Sequence, residues 1–431
     1  MMKGGYKFVA LAGFLAIYPL ACVGQTLQTL TLQDAEKIAL QNHPQIQVAS
    51  YLANAAKAQV TQAKSAYYPH TFGSITGVDS EHGSRIAAGG LNNPVIYDRY
   101  SNGVTVDQLV TDFGRTHELV KSSNLHAQAQ EENVATSRAD VLLRVDQVYY
   151  SVLKAQAIQQ VAEETVKDRQ LVSDQVTELE KNKLKSGLDV SFANVDLAQA
   201  QLLQVQARND LQAAYADLSA ALGYSDVRTF NLSEEALPAA PPADLSSVIS
   251  EALARRPELI SQRLDVDSAQ NYATAERDLW FPEISGVGAA GLTPVREAGI
   301  GSRYAAAGFN VNIPIFNGHE FGALRSEANA QASAQQQYLR ELQNQIVRDV
   351  HKAWLDSNSA FERLAVTQQL LEQATKALHL AQARYKLGLS SIIELSQAQL
   401  NLTQAKIEQT SAKYDYESQI SALHYQEGLM P

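Results

Sequence analysis

No proline occurs from residue 95 to 237 or from 315 to 430, and glycine is almost as scarce in the same windows. Residues 115–186, 188–222, 323–387 and 389–427 contain neither. Inside a helix proline costs about 3 kcal/mol and glycine about 1 kcal/mol relative to alanine. These stretches therefore lack the two residues that would stop a helix, and at about 1.5 Å per residue the longest could reach roughly 100 Å. A chain of 431 residues built this way predicts an elongated, mainly helical molecule. Apolar side chains recur at helical spacing within it: Leu370, Ala374, Ala377, Ala381 and Tyr385 form one stripe, and Ile346, Val350, Ala353 and Trp354 another. Such seams are coiled-coil-like, and their alanine content lets neighbouring helices approach closely.

A second organiser is an internal duplication. Pro44 precedes Pro69 by 25 residues, and Pro257 precedes Pro282 by the same interval. "AYYPHTFGSITG" (66–77) then matches "LWFPEISGVGAAG" (279–291), "DFGR" (112–115) matches "FNGHE" (316–320), and "KLKSGLDV" (183–190) matches "RYKLGLSS" (384–391). The expected first repeat is 25–231, with helices over 31–67, strands at about 69–78 and 99–111, and a helical hairpin over 115–222. A proline-bearing linker, 232–245, follows. The second repeat is 246–431, with helix over 246–280, strands at about 282–292 and 304–316, and a hairpin over 319–427.

The extended segments are short, rich in small residues and roughly alternating, as in Val104 and Val106 or Phe309, Val311 and Ile313. Polar, glycine-rich loops, 79–97 and 293–303, join them in pairs. Four strands are too few to close a barrel, which takes about eight or more. If these strands face lipid, several chains contribute to one barrel.

The N-terminus reads as an export signal over 1–24: Lys3 and Lys7 precede a mostly apolar run from Phe8 to Val23 that is too short to span a membrane. Cys22, the one cysteine, is either lost with the signal or retained as a lipidated residue. No later segment offers about 18 consecutive apolar residues. The formal charge is −11, and loss of Lys3 and Lys7 makes the exported chain more acidic still, which argues against nucleic acid as a partner.

Catalytic and cofactor signatures do not hold up. "GVGAAG" (286–291) is followed by proline and glycine instead of the helix a dinucleotide site requires. "DFG" (112–114) lacks the catalytic loop that accompanies it in kinases and reads as a turn before a long helix. No two of the nine histidines have metal-ligand spacing and no nucleophile elbow is present, so neither an enzyme, a cofactor nor a metal site is expected.

The hairpin tips are distinctive. Lys181, Lys183 and Lys185 precede Gly187, and Arg384 and Lys386 precede Gly388. Cations suit helix C-termini, and glycine suits the left-handed residue just beyond them. Asp189 is then a candidate N-cap for one returning helix, and Ser391 with Glu394 a capping box for the other.

In this order, repeated twice, these motifs resemble those of the TolC-like outer-membrane efflux proteins across essentially the whole mature chain. The resemblance implies a homotrimer in which four strands from each chain make a twelve-stranded outer-membrane barrel. Duplicated helical hairpins would continue it as a periplasmic α-barrel, so the fold is mainly α with a small β part. It implies an exit duct without enzymatic activity, partnered by a periplasmic adaptor (membrane fusion) protein and an inner-membrane transporter, ABC or proton-driven. It places adaptor contacts at Gly187, Leu188, Gly388 and Leu389, and the pore mouth at Tyr385 and Glu394. The family's second mouth acid falls on Gln397, and two partners of its closing network fall on Ser390 and Ala193, which leaves Asp189 and Asp196 as substitute charges. The alternative is a periplasmic coiled-coil scaffold or adaptor-like protein, which would account for the helices and leave the paired strands without a role.

Overall fold

The computed structural model describes residues 29–81, 98–296, 298–299 and 301–430. The expected signal over 1–24, with Cys22, and most of the loop 79–97 lie outside the described residues. Each half begins with a short helix and a longer one: α1 (Leu32–Asn42) and α2 (Pro44–Lys64), then α5 (Leu245–Arg255) and α6 (Pro257–Arg277). The helices expected over 31–67 part at Pro44, and the single helix expected over 246–280 is two, parted at Pro257. Pro44 and Pro257 cannot donate to the preceding turn, and they force His43 and Arg256 into extended backbone. Each proline then serves as the first residue of the next helix, where its missing N–H costs nothing.

The long helices are α3 (Arg115–Lys181) and α7 (Glu320–Lys386), each 67 residues and about 100 Å. They return as α4 (Gly187–Ala221) and α8 (Ile392–Glu427). The carboxylate of Asp112 starts α3, accepting N–H bonds from Gly114 (3.2 Å) and Thr116 (2.7 Å) while Phe113 and Gly114 turn through positive φ. Buried residues recur every seven: Ile346, Ala353, Ala360, Thr367, Ala374 and Ala381 on α7, and Ala193, Ala200, Ala207, Ala214 and Ala221 on α4. A strict seven-residue repeat winds helices into a left-handed supercoil. Leu370 and Ala377, expected in the α7 seam, are exposed, because the seam follows the sevenfold spacing through Ala374 and Ala381.

Two strands of two residues, β1 (Thr29–Leu30) and β4 (Asn231–Leu232), pair in parallel and join the start of the first half to the linker. The buried Tyr149 hydroxyl lies within hydrogen-bonding reach of Leu30 O (2.9 Å) and Ser233 O (2.7 Å), which fastens this pair to α3. Nearby, α1, α3, α8 and the linker enclose carboxyls. Asp146 and Glu417 are 4% and 3% exposed, and neither Asp146 Oδ1 nor Glu417 Oε1 has a hydrogen-bond partner among the described residues. Burial, with repulsion from Glu36 and Glu235, pushes Asp146 up to about 7, and burial chiefly does the same for Glu417.

The remaining strands, β2 (His70–Val78), β3 (Arg99–Thr111), β5 (Glu283–Val295) and β6 (Arg303–Asn312), form one antiparallel sheet in the order β2-β3-β5-β6. β5 runs three residues beyond the expected end at 292, and β6 stops at Asn312, ahead of Pro314, which cannot continue a ladder. Register sorts the side chains. Ile75, Val104, Val106, Leu292, Phe309 and Val311 share one face. The other is more polar, carrying His70, Ser74, Thr105, Asp107, Ser285 and Asn310 with Phe72 and Val287 among them. Phe309 is 83% and Ile75 75% exposed on the apolar face. Both outer strands have one free edge within the chain, and no helix among the described residues is long and apolar enough to cross a membrane.

The polar face has one tight spot. A Cβ on Gly291 would meet Asn102 O at 2.3 Å and the Tyr304 hydroxyl at 2.5 Å, whereas one on Gly73 would meet nothing within 4 Å. The Tyr304 ring thus lies across glycines of two neighbouring strands. Gly291→Ala should cost about 1–3 kcal/mol of sheet stability, because a backbone oxygen must move, while Gly73→Ala should change stability by less than about 0.5 kcal/mol. Thermal unfolding of the folded species on cold versus heated gels measures the difference.

Candidate functional site: the hairpin tips

Both hairpins reverse by the same backbone device. Beyond α3, Asn182 leads to Lys183 at φ 59. The Lys183 N–H donates to Glu180 O (2.7 Å) and that of Leu184 to Leu179 O (2.8 Å). Beyond α7, Leu387 leads to Gly388 at φ 71, and the N–H groups of Gly388 and Leu389 donate to Tyr385 O (3.0 Å) and Arg384 O (2.8 Å). These are two Schellman motifs, which satisfy the last carbonyls of each long helix.

The returning helices then begin at Ser186 and Ser391, each three residues past the left-handed position. Ser186 Oγ accepts from the Asp189 N–H (3.2 Å), and the Asp189 carboxylate accepts from the Ser186 N–H (3.0 Å), a complete capping box. The Ser186 N–H, and then the Ser186 hydroxyl (2.7 Å), hold the Asp189 carboxyl below its usual pKa. Ser391 Oγ accepts from the Glu394 N–H (3.4 Å), but Glu394 turns its carboxylate to Arg384 Nε (3.0 Å) instead of closing the box. This exposed pair across the turn is worth at most about 1 kcal/mol.

The pairing of Gly187 with Gly388 expected from sequence is therefore out by four residues, about one helical turn. The counterpart of Gly388 is Lys183, that of Leu389 is Leu184, and that of Glu394 is Asp189. Gly187 is the first residue of α4 and has no positive φ, and Asp189 is the third helical residue, not the N-cap. Glycine at 187 misleads because a non-glycine residue tolerates the left-handed conformation at about 1–2 kcal/mol, and lysine does so here. In the corrected register, the acid six residues past the first turn is Asp189, while Ala193 is buried in an apolar cluster with Tyr385.

Tyr385 is 8% exposed, and it packs against Val176, Ala193, Ile392 and Leu395. Lys185 Nζ stands 4.0 Å from its ring centroid, a cation–π contact between the two hairpins. Burial, then the charge of Asp189, raises the pKa of its hydroxyl, so it remains a neutral phenol. Neither that hydroxyl nor Ser390 Oγ has a hydrogen-bond partner among the described residues. The expected closing network is thus not made within one chain, although Tyr385 and Asp189 are brought to the same tip. Asp196, half-buried on α4, acts electrostatically on Arg169 of α3.

Leu188 and Leu389 are 66% and 65% exposed, and Leu184 and Leu387, which sequence reasoning missed, are as open. Large apolar side chains clustered in water at a turn mark a contact surface. Arg169 was also missed, although it interrupts the buried sevenfold line Ala162, Arg169, Val176 in plain view. No metal-binding group of His, Cys, Asp or Glu occurs among the described residues.

The sequence profile of the outer membrane efflux protein family matches residues 37–224 and 248–425, one block in each half. Outer membrane protein TolC of Escherichia coli is 23% identical over 299 residues, covering 66% of this chain and 58% of that protein's length. The alkaline protease secretion protein AprF of Pseudomonas aeruginosa is 23% identical over 412 residues, 93% of this chain and 85% of its own. The crystal structure of a membrane protein from Pseudomonas aeruginosa superimposes with a TM-score of 0.81 at 22% identity, over 92% of this chain and 93% of that one.

Proposed function

The chain belongs to the outer membrane efflux protein family, and from that premise we propose that three copies form an exit channel through the outer membrane. The sheet supports this reading best. Its four strands expose an apolar face and a polar face and leave two free edges, which suits a barrel wall shared among chains and lipid on the outside. The long hairpins then extend away from the membrane as a tunnel, with Asp189, Tyr385 and Glu394 at its far mouth.

In this reading the exposed leucines at the tips, with Gly388 shaping one turn, meet a periplasmic adaptor protein. An inner-membrane transporter, ABC or proton-driven, supplies the energy. Asp189 and Glu394 present carboxylates near the mouth, and Asp196 lies one to two turns farther along α4. A periplasmic coiled-coil scaffold would leave the exposed apolar face of the sheet unexplained.

Labelling tests the reading. A cysteine at Ser302, in the connection between β5 and β6, should react with a membrane-impermeant maleimide on intact cells. A cysteine at Leu389 should react only after the outer membrane is opened, and the protein should fractionate as a heat-modifiable outer-membrane trimer. Equal protection of both positions, or a soluble monomer, would overturn it.

A further inference from the structure

We propose that the groove between α3 and the α7/α8 hairpin, just above the tip, is a binding site for a small amphipathic anion held by the guanidinium of Arg169. The groove has a volume of about 700 Å³. That lies within the roughly 300–1,000 Å³ typical of small-molecule sites. Its walls mix aliphatic and polar residues, with Val172 and Val176 on α3 and Leu395 and Leu402 on α8 supplying an apolar stretch beside Gln175, Gln399 and Thr403.

Arg169 is the cation of the α3 wall. It is 6% exposed, and it occupies a position of the sevenfold line where its neighbours are Ala162 and Val176. Its one hydrogen bond among the described residues is to Gln399 Oε1, a neutral amide. No carboxylate comes within ion-pair distance of it among the described residues. Asp196 and Asp168 act on it only from farther off. A buried cation is costly unless paired, and a guanidinium has five N–H donors, of which one is used here.

Cations outnumber acids in the rest of the lining. Lys185, Lys386 and Lys406 also border the groove, where Asp168 is the only acid among the described residues. Lys406 is paired with Glu164, and Lys185 covers the Tyr385 ring. A groove that combines an apolar stretch, a buried guanidinium with a single neutral hydrogen-bond partner and several lysines fits a ligand with an apolar body and a single carboxylate or sulfonate head. The head would take the bidentate, charge-assisted geometry that arginine offers. Because the groove separates the first hairpin from the second and is lined by Tyr385 and Gly388, such a ligand would wedge between the two hairpins at the mouth. The inference goes beyond export and requires only residues of one chain.

The full chain in phosphatidylcholine nanodiscs, titrated with 1-anilinonaphthalene-8-sulfonate, tests it. Its neutral relative N-phenyl-1-naphthylamine serves as the comparison, and empty nanodiscs as the blank. Saturable binding of the sulfonate is expected, weakened about tenfold or more in Arg169→Gln, since bonds to charged groups are worth about 1.5–3 kcal/mol and 1.4 kcal/mol is tenfold. The neutral probe should lose little in that variant, and Arg169→Lys should recover part of the sulfonate affinity. Leu402→Trp, which fills the slot without touching the charge, should abolish binding of both probes, and it keeps the test decisive if Arg169→Gln folds poorly. Unchanged sulfonate affinity in Arg169→Gln, or equal losses for both probes, overturns the proposal. So does the absence of saturable binding, as when a neighbouring copy or a partner helix covers the groove. Channel conductance of the same samples reports on the export reading independently.

Discussion

Replacing Asp146 by asparagine and Glu417 by glutamine is expected to raise the melting temperature of the helical tunnel at pH 8 and to change it little near pH 4. Both carboxyls titrate at about 7 in the folded chain, because burial penalises their charged forms and neighbouring carboxyls repel them. In the unfolded chain they titrate near 4. The folded state therefore binds more protons between these values. The stability this confers is fully present below pH 4 and is lost as pH rises through about 7. At about 1.4 kcal/mol per pKa unit, each group withdraws up to roughly 4 kcal/mol by pH 8, and less for two groups whose charges are shared with Glu36 and Glu235. The amides keep the shape without the charge. Circular dichroism melts at pH 5.5 and pH 8 provide the measurement: wild type should lose stability across this interval, and the double variant should lose much less. A wild-type melting temperature that rises with pH would show that these carboxyls are not the controlling groups.

The second large effect concerns the tips, where the two glycines should behave oppositely. Gly388→Val places a β-branched residue at φ 71, which costs about 1–2 kcal/mol or more, although the surrounding space is open. The loss falls on the turn alone, so trimers should still assemble while adaptor-dependent export falls at least tenfold. Gly187→Ala meets nothing within 4 Å and sits in ordinary helical backbone, so it should be neutral or stabilise the start of α4 by up to about 1 kcal/mol. Lys183→Gly should relieve the left-handed strain of the first tip by a similar amount. Co-purification with an adaptor, alongside the yield of trimer, reads all three. Equal damage from Gly187→Ala and Gly388→Val would restore the register expected from sequence.

The long helices, the duplication and the strand pairs were legible because each rests on local chemistry. Proline and glycine are excluded from helix interiors wherever they occur, and Pro44 and Pro257 mark equivalent places in two copies of one unit. Each of these prolines also divides a helix from the next, which the single helix expected over 246–280 does not allow for. At the tips the difference has a single cause: Gly187 reads as the turn because glycine is the commonest left-handed residue, while the hydrogen bonds place Lys183 there. Arg169 was visible as a break in a sevenfold apolar line, but nothing in its own neighbourhood of sequence says whether a partner carboxylate reaches it.

Composition and spacing along the chain were enough to establish long alanine-seamed helices, two repeats and too few strands for a closed barrel, because helix propensity, turn chemistry and heptad period act over a few residues. The register of the first tip, the unpaired guanidinium beside Gln399, the buried carboxyls at Asp146 and Glu417, and the seat of Tyr304 over Gly291 emerged only on folding. Each depends on contacts between residues far apart in the chain, or on one backbone dihedral that several residue types can adopt, and no local preference encodes either.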